Sequence, residues 1–488
     1  MTGQKMKKII LLAIIAIAFL QGQAQKEMNW WYFGSNAGLN FNSMKTAIST
    51  TGISTTNLPT PVTGSLNTWE GCFSISDING NFLMASDGMT VYNKNNAIMD
   101  NGTGLLGHNS AAQSGIVVPF PGSEYKFYIL SVDYGSGTNG ISYSIVDLSL
   151  NGGLGKVITK NISLLKTGYT YENIAAVSHS NGTDYWIIHQ KGTTFYVWKL
   201  SASGFSAPQT YTFPLATCGT SGEALAGKLT FSSDNRKLIS CLYLCNSITT
   251  ASFDPSTGVV SDAKQRTGLA WAYGAEFSPS GEYIYIGSLS YNTYKAKYND
   301  FRSGAALSSL GLTVDNLQIG PDKRIYGIKR STRELYVIMD PDNGGTDVRV
   351  FSNYLLTNAG IGLPTFMASF FNAKAKEKSF VCTDNDFRYT VEINMSGAAS
   401  DQPTKLVWDF GDGSTPATQN IVASQTTYKQ THNYTLTGKY TVTITPYKAN
   451  GTALSPVTFP ANVVDCVFKT NRMIRTDLQN TAIKATNR

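Results

Sequence analysis

The stretch Glu276-Phe-Ser-Pro-Ser-Gly-Glu-Tyr-Ile-Tyr-Ile-Gly-Ser288 decides the fold, because related stretches recur along the first three quarters of the chain. Within it, Pro279-Ser-Gly281 provides a preset φ and then a residue that can adopt a positive φ, as tight turns require. The β-favouring residues Tyr283 to Ile286 follow and predict a return strand. The stretch therefore predicts a β-hairpin.

Five further stretches share this order of strand, turn and return strand. They begin at Phe73, Val118, Val177, Phe231 and Ile319. Their spacing of roughly 40 to 55 residues fits a unit of four short strands, which is a propeller blade. The repeat therefore predicts an all-β fold with a β-propeller over residues 25–371.

The two ends of this region are expected to supply one more blade. The segment Trp30 to Phe41 is strand-like and aromatic, and Gly362 to Phe370 is predicted to complete its sheet. Such closure pairs the ends and removes exposed edge strands. The count is then about seven blades, with six or eight left open.

The N-terminus has the features of an export signal. Lys5, Lys7 and Lys8 precede an apolar run from Ile9 to Leu20, and small residues follow at the positions that a signal peptidase inspects. The run is shorter than the ~20 residues that span a bilayer as a helix. Residues 1–24 are therefore predicted to be a cleaved signal peptide, with no transmembrane segment in the mature chain.

Composition limits the class of partner. Removing the three leader lysines from the 39 Lys and Arg leaves 36 against 32 Asp and Glu, a net charge of +4. No dense basic face is visible that could match a phosphate backbone, so nucleic acid is not expected as a partner. The 11% aromatic and 15% charged content fits an all-β protein of an extracytoplasmic compartment.

Six cysteines in an exported chain indicate disulfides rather than a metal site, and no metal site is predicted. Cys382 and Cys466 bracket a small C-terminal domain and are predicted to pair. Cys241 and Cys245 should not pair with each other, because on one strand their Cα atoms would lie ~13 Å apart, beyond the ~7 Å limit. The pairing stays open for Cys72, Cys218, Cys241 and Cys245.

The motif Trp408-Asp-Phe-Gly-Asp-Gly413 lies in this C-terminal domain, after a polar linker at residues 372–378. Trp408 and Phe410 alternate with period two, so both are expected to face a core. Gly411 and Gly413 permit a tight turn beside Asp412, whose carboxylate can accept local backbone hydrogen bonds. Asp409 and Asp412 are interpreted as structural residues, with calcium or ligand binding as the alternative.

This motif, followed by His432-Asn-Tyr434 and Gly438-Lys-Tyr-Thr-Val-Thr-Ile444, resembles the signature of the PKD family in order and spacing. The resemblance implies an immunoglobulin-like β-sandwich over residues 379–466. The remaining residues 467–488 are predicted to be a basic flexible tail.

Three stretches of the propeller region are similar to large PKD-domain surface proteins of gliding bacteria that use type IX secretion. They are Trp31 to Phe41, Gly140 to Gly155 and Gly362 to Phe366. The resemblance covers about Asn29 to Cys466 and implies a secreted or cell-surface location and a role in adhesion. Many such proteins carry a further C-terminal sorting domain, for which residues 467–488 are too few, so periplasmic residence stays open.

Candidate binding residues lie shortly before or within the starts of the repeated hairpins. They are Trp69, Glu70, Glu172, Trp271, Tyr273, Glu276 and Asn316. Aromatic platforms beside carboxylates and amides suit sugar rings, which stack on one face and hydrogen-bond through hydroxyls. The alternative is that they do not form one ring of residues, because their offsets from the hairpins differ between blades, and that the aromatic ones are core residues.

The sequence contains few patterns that indicate a catalytic site. The four histidines are scattered, and Gly219-Thr-Ser-Gly222 lacks the spacing of a nucleophile elbow. Asp340 to Asp347 is interpreted as an inter-strand turn, with calcium ligation as the alternative.

The chain is therefore expected not to be an enzyme but an exported adhesion protein that contacts glycan or protein without a cofactor. One alternative is a structural component of a periplasmic or outer-membrane secretion or motility assembly. Another is a glycan-active hydrolase, for which no acid pair can be located.

Overall fold

The computed structural model describes residues 26–371 except 167 and 218–224, and residues 380–464 except 383–385, 393–401, 423–424, 426 and 455. The predicted signal peptide at 1–24, linker at 372–378 and tail at 467–488 lie outside the described residues. Contacts divide the chain into two compact units, residues 1–375 and 376–488.

The described residues of the first unit form seven antiparallel sheets, which follow one another along the chain. Sheet 1 contains β1 (Trp30–Phe33), β2 (Ser35–Ile48) and β3 (Ser54–Asn67). Sheet 2 contains β4 (Phe73–Ser76), β5 (Phe82–Ser86) and β6 (Val91–Asn93). Sheet 3 contains β7 (Gly115–Pro119), β8 (Lys126–Val132), β9 (Ile141–Asp147) and β10 (Lys156–Leu165).

The next two sheets have five and four strands. Sheet 4 contains β11 (Ala175–Ser178), β12 (Tyr185–Lys191), β13 (Thr194–Ser201), β14 (Gly204–Phe205) and β15 (Gln209–Thr212), the last two both pairing with β13. Sheet 5 contains β16 (Leu229–Phe231), β17 (Lys237–Leu242), β18 (Ser247–Phe253) and β19 (Val260–Thr267).

The last two sheets of the unit have four strands each. Sheet 6 contains β20 (Ala272–Phe277), β21 (Tyr283–Ser288), β22 (Tyr294–Lys297) and β23 (Ser308–Ser309), with helix α1 (Tyr298–Ser303) between its last two strands. Sheet 7 contains β24 (Asn316–Ile319), β25 (Ile325–Ile328), β26 (Leu335–Ile338) and β27 (Val348–Phe351). Short 3-10 helices occupy Asn151–Gly153, Pro341–Asn343 and Ala368–Phe371.

The six predicted hairpins are confirmed as antiparallel pairs that open sheets 2 to 7. In the quoted stretch, Phe277 of β20 pairs with Ile284 of β21. Gly281 adopts a φ of +69°, and its N–H donates to the carbonyl of Ser278 at 2.8 Å. Gly281 therefore forms the tight turn that the sequence predicts, with a positive φ that residues with a Cβ rarely adopt.

The hydrophobic cores lie between neighbouring sheets and close into a cycle. Ile75 of sheet 2 packs in one core with Ile129 of sheet 3, and equivalent cores join sheets 3 to 7 in order. The last core joins Tyr326 of sheet 7 to Trp31 of sheet 1. First strands of consecutive sheets also lie side by side, as β4 does with β7 and β20 with β24. Each sheet thus buries both faces against its neighbours.

The expectation that Gly362 to Phe370 forms a strand of sheet 1 is wrong. Sheet 1 consists of β1, β2 and β3, and the segment instead runs beside the start of sheet 2. The N–H of Ile361 donates to the carbonyl of Trp69 at 2.7 Å, and that of Thr365 donates to the carbonyl of Cys72 at 2.8 Å. Pro364 lies between these bonds and has no N–H to donate, which interrupts a regular ladder.

The second unit contains a five-stranded and a two-stranded sheet over its described residues. In spatial order, the larger sheet contains β28 (Phe380–Cys382), β34 (Val457–Val464), β33 (Gly438–Lys448), β30 (Pro403–Asp409) and β31 (Ala417–Asn420). The smaller sheet pairs β29 (Asp386–Glu392) with β32 (Thr427–Asn433). One core includes side chains from both sheets, among them Tyr389, Trp408 and Ile444.

Across the described ranges, no helix is long and apolar enough to cross a membrane.

Candidate functional site at the entrance edge

The seven predicted binding residues lie on or just before the first strands of four sheets. They are Trp69 and Glu70 before β4, Glu172 before β11, Trp271 before β20, Tyr273 and Glu276 in β20, and Asn316 in β24. We call the edge at which the first strands of sheets 2 to 7 begin the entrance edge. Loops between second and third strands lie at the same edge, because neighbouring strands are antiparallel.

Glu70 and Tyr273 meet at the entrance edge. The hydroxyl of Tyr273 donates a 2.9 Å hydrogen bond to Oε2 of Glu70, although 203 residues separate the two. Ser110 donates to Oε1 of the same carboxylate at 3.4 Å. Burial, reinforced by the charges of Glu70 and Glu172, raises the pKa of Tyr273 well above its ordinary value. Tyr273 is thus a neutral donor that links sheet 6 to the start of sheet 2.

Glu172 is a buried carboxylate held by backbone amides. Its side chain is 3% exposed. Oε2 accepts the N–H of Ala112 at 2.8 Å, and Oε1 accepts the N–H of Gly135 at 2.6 Å. Amide donors aimed at both oxygens compensate the carboxylate for the loss of water. Glu172 therefore ties sheet 4 to the start of sheet 3 and to the loop between β8 and β9.

Glu276 faces Lys228 between sheets 5 and 6. The Nζ atom of Lys228 is 3.9 Å from Oε2 of Glu276, and both side chains are at most 5% exposed. Burial raises the pKa of Glu276 and lowers the pKa of Lys228, because desolvation outweighs the attraction across this distance. Lys228 also donates to Oε1 of Gln318 at 2.6 Å and to the carbonyl of Leu317 at 3.1 Å. These polar groups are structural links inside the cycle.

Asn316 is also buried, and its side chain binds the backbone of the next residue. Its Oδ1 atom accepts the N–H of Leu317 at 2.8 Å. The Cβ position of Gly274, on the neighbouring sheet, would lie 2.6 Å from the same oxygen. Asn316 therefore fills a close contact between β24 and β20.

Sequence reasoning missed two residues of this buried network, Lys228 and Gln113. Oε1 of Gln113 accepts the N–H groups of Ile174 at 3.1 Å and Leu229 at 2.8 Å, which joins sheets 3, 4 and 5. A shared offset could have found both residues. Gln113 lies five positions before Val118, as Glu172 does before Val177, and Lys228 lies three before Phe231, as Asn316 does before Ile319.

Several accessible residues of the entrance edge are aromatic. Trp69 is 48% and Tyr291 is 45% exposed. Trp271 is partly exposed and contacts Tyr243 and Tyr291 edge to face, with ring centroids 5.8 and 5.2 Å away. We call Trp69, Tyr243, Trp271 and Tyr291 the aromatic rim. Such rings can stack on sugar rings or on apolar side chains of a protein.

Trp271 has an unusual backbone. Its φ of +53° is left-handed, a region that bulky residues rarely adopt. The N–H of Trp271 donates to Oδ1 of Asn246 at 2.9 Å, and its carbonyl accepts the N–H of Leu289 at 3.1 Å. Two loops of the entrance edge therefore hold the indole in this conformation, and strain of this kind is concentrated at functional sites.

The acidic turn from Asp340 to Asp347 is closed by its own backbone. Oδ1 of Asp340 accepts the N–H of Asp347 at 2.9 Å, and Oδ2 accepts the N–H of Thr346 at 3.3 Å. No group of three His, Cys, Asp or Glu residues is placed to hold a metal ion in the described ranges. The carboxylate of Asp340 thus serves the turn.

Two of the six cysteines are free and buried thiols, Cys72 and Cys241. Burial raises the pKa of Cys241 to about 12, so its thiol is protonated and unreactive. Because Cys241 is free, it does not pair with Cys245, as predicted. The reason given for that prediction is wrong, because β17 ends at Leu242 and Cys245 lies in the turn that follows it. Cys466 lies outside the described residues, so its pairing with Cys382 stays a prediction.

In the second unit, the Trp408 motif continues from β30 into a turn. Trp408 and Phe410 are at most 3% exposed and belong to one core. Gly411 has a φ of +77°, and its N–H donates to Oδ1 of Asp409 at 2.9 Å. Its Cβ position would lie 2.4 Å from the carbonyl oxygen of Thr441, so glycine is required there.

Asp412 joins the next turn to β32. Oδ1 accepts the N–H of Ser414 at 3.1 Å, and Oδ2 lies 2.7 Å from Nε2 of His432. The imidazole of His432 stacks on Phe410, with ring centroids 3.9 Å apart. Residues 373–463 match the PKD domain family. The carboxylates of the PKD motif, Asp409 and Asp412, thus accept hydrogen bonds from the domain itself.

Two solved structures that are similar to this chain have low sequence identity to it. One is a candidate 6-phosphogluconolactonase from Bacteroides uniformis, with 16% identity, a TM-score of 0.36, and coverage of 58% of this chain and 80% of that chain. Another is the extracellular domain of a candidate hybrid two-component system from B. thetaiotaomicron, with 11% identity, a TM-score of 0.34, and coverage of 89% and 56%. No curated protein matches the sequence significantly.

Proposed function

We propose that this chain is an exported cell-surface binding protein that makes noncovalent contacts with glycan or protein partners. In this proposal the seven sheets are the blades of a β-propeller, and the PKD domain is the module that follows it. The PKD match supports an extracellular, adhesion-type role. The cycle of sheets, closed by a core between sheets 7 and 1, supports the propeller.

The aromatic rim is the observation that carries the proposal. The carboxylates of Glu172, at the entrance edge, and of Glu276, near the other end of β20, are buried and hydrogen-bonded within the fold, whereas the rings of Trp69 and Tyr291 at the entrance edge are nearly half exposed. A rigid surface that presents rings and keeps its acids inside suits stacking contacts rather than turnover. The described geometry therefore favours a binding module over a hydrolase.

The test uses the mature full-length chain, labelled with a fluorophore and applied to purified polysaccharides and to outer-membrane fragments. We expect saturable binding to at least one of these, weakened about tenfold or more in a Trp69→Ala, Tyr291→Ala double variant. Ile158→Ala is the matched control, because Ile158 is 42% exposed on the outer strand β10. Equal binding by the double variant and the wild type would overturn the proposed site.

Location is tested separately by protease treatment of intact cells and of cells with an opened outer membrane. Cleavage on intact cells is the expected result and agrees with the resemblance to type IX surface proteins. Protection until the membrane is opened would contradict surface exposure. It would favour the alternative of a structural component inside the envelope.

A further inference from the structure

A cleft lies between sheets 1 and 2, at the edge opposite the entrance edge. It has a volume of about 520 Å³, within the ~300–1,000 Å³ range of small-ligand sites. Sheet 1 contributes Trp30, and sheet 2 contributes the turn at Asn79–Phe82 and the loop at Lys94–Asn96. Because β4 begins at the entrance edge and ends at the first of these loops, the cleft is separate from the aromatic rim.

The wall of the cleft is a fixed aromatic cluster. Trp30 is partly exposed, and Tyr32 and Phe82, which also line the cleft, contact it with ring centroids 5.9 and 6.1 Å from the indole. Tyr32 and Phe82 are at most 9% exposed and contact each other edge to face at 5.0 Å. The indole N–H of Trp30 donates to the carbonyl of Gly80 at 2.9 Å. The ring is therefore held in place before any ligand arrives.

The rim of the cleft is made of asparagine side chains. The five asparagines that line it are all exposed: Asn42, Asn79, Asn81, Asn95 and Asn96. Each amide offers two donor hydrogens and an acceptor oxygen. Such groups can bind the hydroxyls of a sugar, each of which donates one hydrogen bond and accepts others.

The two loops hold these amides in position. Oδ1 of Asp77 accepts the N–H groups of Asn79 at 2.8 Å and Asn81 at 2.9 Å. Oδ1 of Asn93 accepts the N–H of Asn95 at 2.9 Å in the same way. Within the part of the chain that the structure describes, the side-chain amides of Asn79 and Asn95 form no hydrogen bond. They are therefore available to a ligand at little cost in ordering the loops.

Lys94 is the one charged residue among those lining the cleft in the described structure. Its Nζ atom lies 3.2 Å from the Cβ position that a side chain would take at Gly153, so Gly153 leaves room for it. A cation at the rim favours a ligand that carries a negative group. A uronate carboxylate or a sulfate ester on a sugar supplies such a group.

We infer that this cleft is a glycan-binding site, with a sugar ring stacked on Trp30, hydroxyls bound by Asn79 and Asn95, and an acidic substituent next to Lys94. The inference rests on the proposal that the chain is a binding protein. It adds a second site and names the ligand class. An aromatic wall with amide donors and acceptors and no lining carboxylate suits an uncharged or acidic sugar better than a basic peptide.

The test is calorimetric titration of the mature full-length chain with alginate and hyaluronan oligosaccharides, which are acidic, and with laminarin oligosaccharides, which are neutral. We expect the acidic set to bind more tightly than the neutral set at low salt. The Asn79→Ala, Asn95→Ala double variant should bind every oligosaccharide at least about fivefold more weakly. Both asparagines are exposed, so the variant should fold; Asn299→Ala, at an exposed position of helix α1, is the matched control.

Lys94→Gln separates charge from stacking. It should abolish the preference for acidic oligosaccharides and leave laminarin binding within about twofold of wild type. If titration with alginate, hyaluronan and laminarin oligosaccharides gives no heat of binding, the cleft inference is overturned. The proposed function is then still tested by the binding assay with polysaccharides and outer-membrane fragments. Binding unchanged by the asparagine variant but lost in Trp69→Ala would place the glycan at the aromatic rim, which refutes the cleft and supports the proposed function.

Discussion

Replacing Lys228 by methionine would leave a carboxylate without its opposing charge in the core. Lys228 is 4% exposed, and its Nζ atom lies 3.9 Å from Oε2 of Glu276. The substitution keeps most of the side-chain volume but removes the charge and the hydrogen bonds to Gln318 and Leu317. Removing one partner of a buried ion pair costs about 3–5 kcal/mol, because the other charge stays buried and uncompensated.

The loss should depend on pH through Glu276. Burial already raises the pKa of this carboxyl, and the positive charge of Lys228 opposes that rise. Without the lysine, the pKa of Glu276 in the folded state rises further. A carboxyl with a raised folded pKa is more stabilising when protonated, and this stability is lost as the pH rises through the folded pKa. The defect of Lys228→Met should therefore shrink as the pH falls from about 8 towards about 5.

The assay is guanidinium unfolding followed by tryptophan fluorescence. Of the seven tryptophans, Trp408 alone lies beyond residue 375, so the signal reports mainly on the first unit. Adding Glu276→Gln to Lys228→Met should recover part of the loss. Lys297→Met is the control: its 2.8 Å ion pair with Glu282 is shorter but about half exposed, so solvent screens it and the variant should lose much less stability than Lys228→Met. A Lys228→Met defect below ~1 kcal/mol, or one that does not change with pH, would refute the reasoning.

Two further predictions concern the PKD domain and the closure of the first unit. Burial alone would raise the pKa of Asp412, but hydrogen bonds from Ser414 and His432 hold it below its ordinary value. The stabilising effect of Asp412 should therefore be lost as the pH falls below about 4. Over this pH range the free energy of unfolding of Asp412→Asn should fall less than that of the wild type. An equal dependence on pH in the two proteins would contradict this. At Gly362, a Cβ would lie 1.8 Å from the carbonyl oxygen of Glu70, so Gly362→Ala should cost about 1–3 kcal/mol or more. Gly168→Ala, with nothing within 4 Å, should have little effect, and equal unfolding midpoints for the two variants would refute the close approach.

Features that depend on near neighbours in the chain could be predicted from the sequence. The hairpin around Gly281 follows from a turn residue placed between two β-favouring runs. The burial of Trp408 and Phe410 follows from their period-two spacing. In each case one or two residues fix the local backbone, and the side-chain directions follow from it.

The candidate site could be predicted only in part. Six of the seven residues chosen from the sequence lie at the entrance edge, since strand order places them there, whereas Glu276 lies near the opposite end of β20. Their exposure could not be predicted: Tyr273 is buried because it reaches Glu70, 203 residues away in sequence. The cleft beside Trp30 was missed because its parts come from two sheets and three separate segments.

The sequence by itself determined the all-β class, the hairpins and the turns, because these depend on backbone preferences and on a period of two residues. The tertiary structure alone decided which polar groups serve the fold and which face solvent. Glu172 and Asn79 are both polar residues near strand ends, yet one is held by the amides of Ala112 and Gly135 and the other is exposed. Desolvation depends on atoms from distant parts of the chain, and only the packing of one sheet on the next brings those atoms together.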